Sequence, residues 1–314
     1  MVLCSAIEFC KKTGRILVVD WSDGVFAARG ANIFPKFFSI RDFPQTSNMQ
    51  EILANIGHLS CYPSAFKGNP ESGGYDHFVH ARNDFFMKLP RAVLINERLK
   101  MLHGFWLHSS KAAPASGRAF LKEAFDHRNF SLGHDLSTSH PEDVLFYFDF
   151  TPNRLKQTFM NHISLNEDVL KKINSFVSEN NLANNSIGVH VRSTDKKPQK
   201  PLEALFAGIA RLNLKDPKIF LATDNKEISR QVKSKFNAVI EYPKLMPEVR
   251  TGGMHLWAKY SGHPEQGERI LEESIVDMWL LSKCEYLLYQ SNSTFSLISA
   301  YLHKEISRAV AWDK

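Results

Sequence analysis

The chain has 314 residues, of which 43% are apolar, and it carries a net charge of +6 with a sequence pI of about 9.0. This length and apolar content suffice for two ordinary domains, each with its own core. The positive charge suits phosphorylated ligands, but it is spread along the chain without a basic tail or an aromatic-basic repeat. We therefore expect no nucleic-acid partner. No apolar stretch approaches the length of a membrane span, so we expect no stable membrane insertion.

The first residues are typical of a helix that ends at Gly14, followed by a buried strand over residues 16–20. The start lacks a basic region and a cleavage site and contains Glu8, so we expect no signal peptide and a cytoplasmic location. The four cysteines lie without CxxC spacing, which argues against a zinc site and against a disulfide framework. They are Cys4, Cys10, Cys61 and Cys284.

A break at Pro152 and Asn153 separates the two halves of the chain. An apolar stripe from Val169 to Val177 then predicts a helix, which a polar turn at residues 180–185 closes. We place an N-terminal α/β domain at 1–155, a connecting helix or linker at 156–185, and a C-terminal domain at 186–314.

The C-terminal half alternates between strands and helices. Apolar runs predict strands at 186–192, 218–222, 238–242 and 286–289, and helical stripes lie near residues 202–212, 228–232 and 271–282. Such alternation gives a parallel sheet with helices on both faces, a Rossmann-like domain. The segment from Pro243 to Gly267 has no helical or strand period, and loops of this length are usually functional or disordered.

The first predicted strand of this domain, within IGVHVRSTDKK (187–197), ends in a cluster of polar residues. The carboxyl ends of parallel strands meet at one edge of the sheet, where open α/β sheets bind ligands. Arg192 offers a flat fork of donors that suits a phosphate, and Lys196 and Lys197 add point charges. The alternative is a strand followed by a solvated basic turn.

Two further strands end in the same way. KIFLATDN (218–225) ends in Thr223 and Asp224, and YLLYQSNSTFS (286–296) runs into hydroxyl residues that begin a helix. Ser293 and Thr294 are suited to cap that helix and to present its free backbone N–H groups to a phosphate. Three such strand ends in succession favour an anion-binding pocket.

These motifs, in the order HVRxTDK, FLATD and a serine-rich strand-to-helix turn, resemble those of the GDP-fucose-dependent fucosyltransferases. The resemblance is to the α-1,6 type, which includes the NodZ-like nodulation proteins and the core fucosyltransferases. It runs from about Ile187 to Leu302, with a weaker match at GRILVVDW (14–21). It implies an α/β fold of two Rossmann-like domains facing a cleft, of the GT-B kind, with the N-terminal domain on the acceptor side.

The resemblance also implies an activity and a set of site residues. The chain is expected to move L-fucose from GDP-fucose to an oligosaccharide acceptor, with inversion. Arg192 and Lys196 are assigned the catalytic role, because cations should stabilise the charge that grows on the departing diphosphate. The residues expected to bind the donor are His190, Asp195, Asp224, His255, Asp277, Ser293 and Thr294. For Asp277 the alternative is a buried carboxylate paired within the domain.

The sequence departs from the family pattern in three places. Family members open with a strand and a glycine-rich loop, whereas here Met1 already lies in the predicted helix, so we expect the first strand and loop to be missing. Arg192 stands alone where the core enzymes carry two adjacent arginines. Where they carry a glutamate after the motif lysine, this chain has Gln199 and Lys200, so the general base is left unassigned.

No DxD pair of the kind that holds a divalent ion on a nucleotide diphosphate occurs in this sequence. Because the cationic side chains are able to neutralise the diphosphate, we expect no metal and no cofactor beyond the GDP-fucose donor. Three functional classes follow: an active fucosyltransferase, a GDP-sugar-binding protein without turnover, and a basic α/β protein with another phosphate ligand or nucleotide sugar.

Overall fold

The computed structural model describes residues 2–19, 26, 32–41, 45–46, 60–62, 141–145, 162–194, 196–246, 254 and 265–314. The chain forms two compact units. The first comprises Met1–Val19 with Phe43–Leu155, and the second comprises Asp20–Asp42 with Lys156–Lys314.

The helices and strands are numbered along the chain. The described helices are α1 (Val2–Thr13), α2 (Phe34–Phe37), α3 (Glu167–Asn180), α4 (Leu202–Arg211), α5 (Lys226–Lys235), α6 (Glu265–Lys283) and α7 (Thr294–Leu302). The strands are β1 (Leu17–Val18), β2 (Phe38–Ile40), β3 (Gln45–Thr46), β4 (Cys61–Tyr62), β5 (Val144–Leu145), β6 (Ile163–Leu165), β7 (Ser186–Val191), β8 (Lys218–Thr223), β9 (Val239–Ile240), β10 (Tyr286–Tyr289) and β11 (Ala309–Ala311). A 3-10 turn (Ile306–Arg308) precedes β11.

In the first unit, α1 leads into short parallel pairs of strands. Gly14 ends the helix in the left-handed region (φ 69°), as the sequence predicts. β1 pairs with β3 and β4 pairs with β5, both in parallel. The guanidinium of Arg15 donates to the carbonyl oxygens of Glu142 and Asp143, at 2.7 and 3.1 Å, and so ties the end of α1 to the approach to β5.

The second unit contains a five-stranded parallel sheet in the order β11-β10-β7-β8-β9. The chain starts at the central strand β7 and moves outward through β8 and β9. It then returns to the other side of β7 with β10 and β11. The strand order therefore reverses between β7 and β10. In open α/β sheets this switch point is where a crevice forms beyond the carboxyl ends of the strands.

The core explains why β7 and β8 read as continuous apolar runs. Ile187, Val189 and Val191 pack with helix α4 residues on one face, while Phe220 and Ala222 pack with α3 and α6 on the other. Both faces are thus covered, as parallel sheets require. A Cβ atom added to Gly188 would lie 2.9 Å from the carbonyl oxygen of Leu281, so the absence of a side chain lets α6 lie close against β7.

Part of the earlier chain belongs to the same unit. β2 pairs antiparallel with β6, with Ile40 opposite Ile163. Helix α3 buries Val169 and Ile173 in the core beside the sheet, so the segment predicted as a linker carries a helix that packs on the sheet. The domain limits of 1–155, 156–185 and 186–314 stay a prediction.

The strands predicted in the C-terminal half are all present, and their ends lie within two residues of the expected ones. The prediction of an α/β fold with a parallel, helix-covered sheet is confirmed. The sequence reading missed β11, the edge strand next to β10. In the predicted loop from Pro243 to Gly267, α6 begins at Glu265, and residues 247–253 and 255–264 lie outside the described part. None of the described helices combines the length with the apolar character that a membrane span needs.

Candidate functional site

The candidate site lies at the carboxyl edge of the sheet, where β7, β8 and β10 end. Val191, at the end of β7, is in register with Thr223 at the end of β8. The first two motifs therefore lie on neighbouring strands and reach the same edge. The serine-rich turn after β10 lies on the other side of β7, so the central strand brings all three motifs to one edge.

Asp224 holds the loop that follows β7. Its Oδ1 accepts the backbone N–H of Ser193 at 2.9 Å, and its Oδ2 accepts the hydroxyl of Thr194. The carboxylate therefore fixes the backbone directly after Arg192. A direct role for Asp224 in binding the donor stays a prediction.

Asn225 is a structural residue that the sequence analysis did not identify. Its Oδ1 accepts the backbone N–H groups of Glu227 and Ile228, at 2.8 and 3.4 Å, and so caps helix α5. Its Nδ2 donates to the hydroxyl of Ser193 at 2.7 Å. An asparagine directly before a helical stripe is a common capping signal, which would have found this residue.

Two amides on the β10 side join the loops across the switch point. The backbone N–H of Arg192 donates to Oε1 of the fully buried Gln290 at 2.7 Å, and Nε2 of Gln290 donates to Asn292 at 2.7 Å. The Lys196 ammonium donates to the carbonyl oxygen of Asn292 at 3.2 Å. Asn292 in turn donates from Nδ2 to the carbonyl oxygen of Lys197 at 2.9 Å. The two strand ends thus form one hydrogen-bonded unit.

Helix α7 begins at this edge. Ser293 occupies the N-cap position and Thr294 is the first helical residue, as predicted. The prediction that the Ser293 side chain caps this helix is wrong, because that side chain forms no capping hydrogen bond. Its hydroxyl and that of Ser291 are buried without a hydrogen-bond partner. A buried unpaired hydroxyl is costly, so both groups are suited to a ligand or water at the positive end of α7.

His190 lies beneath this edge, 5% exposed. Its Nδ1 bonds to the Ser296 hydroxyl, and its ring stacks on Phe295 with centroids 4.8 Å apart. Burial, with smaller contributions from the charges of Arg192 and Lys244, lowers the pKa of His190 from 6.5 to about 3. The imidazole is therefore neutral at physiological pH. The contacts with Ser296 and Phe295 explain the position of the imidazole. A contact between His190 and the donor stays a prediction.

Asp277 lies on α6 and forms a buried ion pair with Lys244, at 2.5 Å. Burial raises the pKa of Asp277, and the Lys244 charge opposes that effect. Oδ1 of Asp277 is buried without a partner. The paired arrangement is the alternative that the sequence analysis raised. It leaves one acceptor oxygen for a ligand, and that role also stays a prediction.

Two predicted site residues, Asp195 and His255, lie outside the described residues. Within the ranges given above, no group of three or more histidine, cysteine, aspartate or glutamate side chains is placed to hold a metal ion. What the described site offers is a strand-end arginine, a lysine, a helix start and unpaired hydroxyls. Arginine forks and helix N-termini are both groups that bind phosphate.

The strand order of the second unit defines a Rossmann-like α/β domain, with Arg192, Lys196 and the start of α7 at its switch point. No protein-family model matches the chain. It is 22% identical to nodulation protein Z of Azorhizobium caulinodans, over 94% of this chain and 82% of the relative.

Solved structures give the same relationship in three dimensions. One is a NodZ α-1,6-fucosyltransferase soaked with GDP-fucose, with a TM-score of 0.59 and 20% identity, over 96% of this chain and 87% of that one. Another is the fucosyltransferase NodZ from Bradyrhizobium, with a TM-score of 0.55 and 19% identity over the same shares. The chain is thus NodZ-like in sequence and fold, and the resemblance seen in its motifs is confirmed.

Proposed function

We propose that the chain is a glycosyltransferase that moves L-fucose from GDP-fucose to an oligosaccharide acceptor. The observation that carries the proposal is the convergence of Arg192, Lys196 and the start of α7 at the switch point. The similarity to nodulation protein Z extends over 94% of the chain. Structures of NodZ α-1,6-fucosyltransferase with the same fold include one soaked with GDP-fucose and one co-crystallised with GDP, which supports GDP-fucose as the donor.

The diphosphate of the donor would lie between the loop after β7 and the turn before α7. The Arg192 guanidinium would provide a bidentate contact, and Lys196 a point charge. The first N–H groups of α7, with the unpaired hydroxyl of Ser293, would bind the remaining phosphate oxygens. This arrangement explains why buried hydroxyls lack partners within the protein.

In the proposed inverting reaction the oxygen of an acceptor hydroxyl bonds to the anomeric carbon of fucose while the bond from that carbon to the diphosphate oxygen breaks. GDP leaves, and the hydroxyl proton passes to a general base that stays unassigned. Negative charge grows on the diphosphate, so fixed cations aimed at it lower the barrier more than they stabilise the bound donor. Arg192 is the residue assigned to this role, with Lys196 assisting. Since these cations do what a divalent ion would do, we propose a metal-independent reaction.

The nucleoside would bind farther along the same edge, towards β8 and β9. Oδ1 of Asp277 is an unpaired acceptor suited to guanine N–H groups. We propose His190 as a donor contact on the resemblance alone. We propose Asp195, Asp224 and His255 as further donor contacts on the resemblance alone. The same basis supports an acceptor-side role for residues 1–155. A cytoplasmic location is proposed because the cysteines are scattered in the sequence without a disulfide framework.

A ligand screen followed by a transfer assay tests the proposal. Thermal shifts with GDP, UDP, CDP and their sugar conjugates should show a preference for GDP and GDP-fucose. A ligand at about a hundred times its Kd stabilises a specific site by roughly 2.7 kcal/mol. Release of GDP and labelling of an oligosaccharide then test turnover. GDP binding without transfer would indicate a binding protein, and no guanine preference would indicate a different phosphate ligand.

A further inference from the structure

The last residues of the chain pass directly under the candidate site. β11 ends at Ala311 beside Tyr289 of β10. The indole N–H of Trp312 then donates to the carbonyl oxygen of His190 at 3.2 Å, and its backbone N–H donates to the carbonyl oxygen of Tyr289 at 3.1 Å. These bonds fix the backbone of the next residue, Asp313.

Asp313 is fully buried. Its Oδ1 accepts the backbone N–H of Ser291 at 2.7 Å, and its Oδ2 accepts the backbone N–H of Gln199 at 3.2 Å. One carboxylate therefore bridges two segments that are distant in sequence. We call them the Arg192 loop (residues 192–201) and the Ser293 turn (residues 290–293).

These two segments carry the groups assigned to the diphosphate. The Arg192 loop holds Arg192 and Lys196, and the Ser293 turn leads into α7. Gln290 joins them near β7, and Asn292 joins them at the level of Lys196. Asp313 adds a third connection between the two segments, beyond Lys197. Farther along the loop, the Lys200 ammonium donates to the carbonyl oxygen of Lys314, outside the Ser293 turn.

We propose that Asp313 is a positioning residue that sets the distance between the Arg192 loop and the Ser293 turn, and thereby places Lys196 and the α7 N-terminus on the donor diphosphate. The inference rests on the proposed function for its chemistry. Its structural part, the coupling of the two segments through one carboxylate, is independent of that function.

A carboxylate is required because both segments present N–H donors. An ionised aspartate has two acceptor oxygens and no hydrogen, so it bonds to both donors without conflict. Asparagine has the same shape but only one acceptor oxygen. The side-chain NH2 group of asparagine would then face one of the two backbone N–H donors. Asp313→Asn should therefore keep the hydrogen bond to one segment and lose the hydrogen bond to the other.

The test compares Asp313→Asn with Glu285→Gln as the matched control. Glu285 accepts the backbone N–H of Asn185 at 2.8 Å, but at the opposite, amino edge of the sheet. We expect Asp313→Asn to lower kcat/KM for transfer about tenfold, the effect of losing one charge-assisted hydrogen bond. GDP binding should weaken by a similar factor while guanosine binding is unchanged. Glu285→Gln should leave both bindings and transfer unchanged.

Hydrogen exchange provides a reading that does not depend on activity. In Asp313→Asn, faster amide exchange should be confined to residues 192–201 and 290–294. Exchange in β7 and β8 should remain as in the parent chain. If exchange rises in these segments but the parent chain transfers no fucose, the coupling stands and the proposed function fails. Unchanged exchange in both segments would overturn the positioning role, whatever the activity.

A double-mutant cycle distinguishes positioning from general weakening. If Asp313 acts through the Arg192 loop, then Lys196→Ala should lower kcat/KM by a smaller factor in the Asp313→Asn chain than in the parent chain. Additive losses in kcat/KM would contradict the proposal. If Asp313→Asn does not fold, Asp313→Glu, which keeps two acceptor oxygens, should fold and retain GDP binding. Loss of GDP binding in a folded Asp313→Glu chain with unchanged exchange would also count against it.

Discussion

The two edges of the five-stranded sheet carry similar residues and use them differently. At the amino edge, Ser186 is fully buried, yet its hydroxyl donates to the carbonyl oxygen of Leu182 and accepts the backbone N–H of Glu285. At the carboxyl edge, the buried Ser293 hydroxyl has no partner. Residue type alone does not distinguish these two serines.

The charged groups show the same difference. At the amino edge, Glu285 bonds to the backbone of Asn185 and pairs with Arg308 at 3.2 Å. At the carboxyl edge, Oδ1 of the buried Asp277 and Oε1 of Glu241 have no partner. Folding alone explains the polar groups of the amino edge. Some of those at the carboxyl edge have an atom without a partner, which favours a ligand site there.

Removing the principal cation of the carboxyl edge is expected to have the largest effect. Arg192→Ala should lower transfer roughly a hundred- to a thousand-fold, the cost of losing one transition-state donor, with little change in melting temperature. Lysine at this position should restore it only in part, because it lacks the planar fork. The control is Arg308→Ala at the amino edge, which should leave transfer unchanged. A loss below about threefold in Arg192→Ala would remove this residue from the mechanism.

The two buried serines give a paired test of the comparison. Ser186→Ala should lower the free energy of unfolding by about 1–3 kcal/mol, since it removes both a donor and an acceptor from buried backbone groups. GDP affinity should not change. Ser293→Ala should leave stability unchanged and weaken GDP binding by about fivefold. Denaturant unfolding and GDP titration measure both quantities, and the reverse pattern would contradict the assignment of the site.

The buried imidazole of His190 predicts a dependence of stability on pH. Its pKa is near 3 in the folded chain and about 6.5 when unfolded. The unfolded state therefore binds more protons between these values, and stability is present above pH 6.5 and lost as the pH falls towards 3. The slope due to this group is about 1.4 kcal/mol per pH unit. The free energy of unfolding, measured at pH 7, 6 and 5, should depend less steeply on pH in His190→Gln than in the parent chain. An equal dependence in the two chains would refute the buried neutral state.

Chelation is expected to have no effect. If Arg192 and Lys196 neutralise the diphosphate, EDTA should change neither GDP binding nor transfer, and added manganese or magnesium should not raise them. Transfer that EDTA abolishes and a divalent ion restores would mean that the cationic side chains do not replace the metal.

The strands and the positions of the motifs could be predicted because their signals are local. Near-continuous apolar runs such as 187–191 and 218–223 are what a doubly covered parallel strand requires. The direction of each strand then places Arg192, Asp224 and Ser293 at its carboxyl end. The family resemblance came from these same residues, and the similarity to nodulation protein Z across the chain agrees with it.

The bonds between strand ends could not be predicted in the same way. Gln290 and Asn292 lie within the third motif, but nothing in it indicates what their side chains bond to, and Asp313 lies outside the motifs. Each bonds to a segment about a hundred residues away. The hydroxyl of Ser293 carries a capping signal, but in the folded chain it is buried without forming the cap. The roles of these residues depend on which loops the sheet order brings together.

By itself the sequence determined which segments form the parallel sheet and which charged groups follow each strand. Both depend only on the apolar pattern of neighbouring residues and on the direction of the chain. Only the tertiary structure decided that β7 is the central strand with β8 on one side and β10 on the other. That order creates the switch point, and it leaves some buried polar groups paired and others open. The physical reason is that pairing between distant strand ends depends on long-range packing, which no local pattern records.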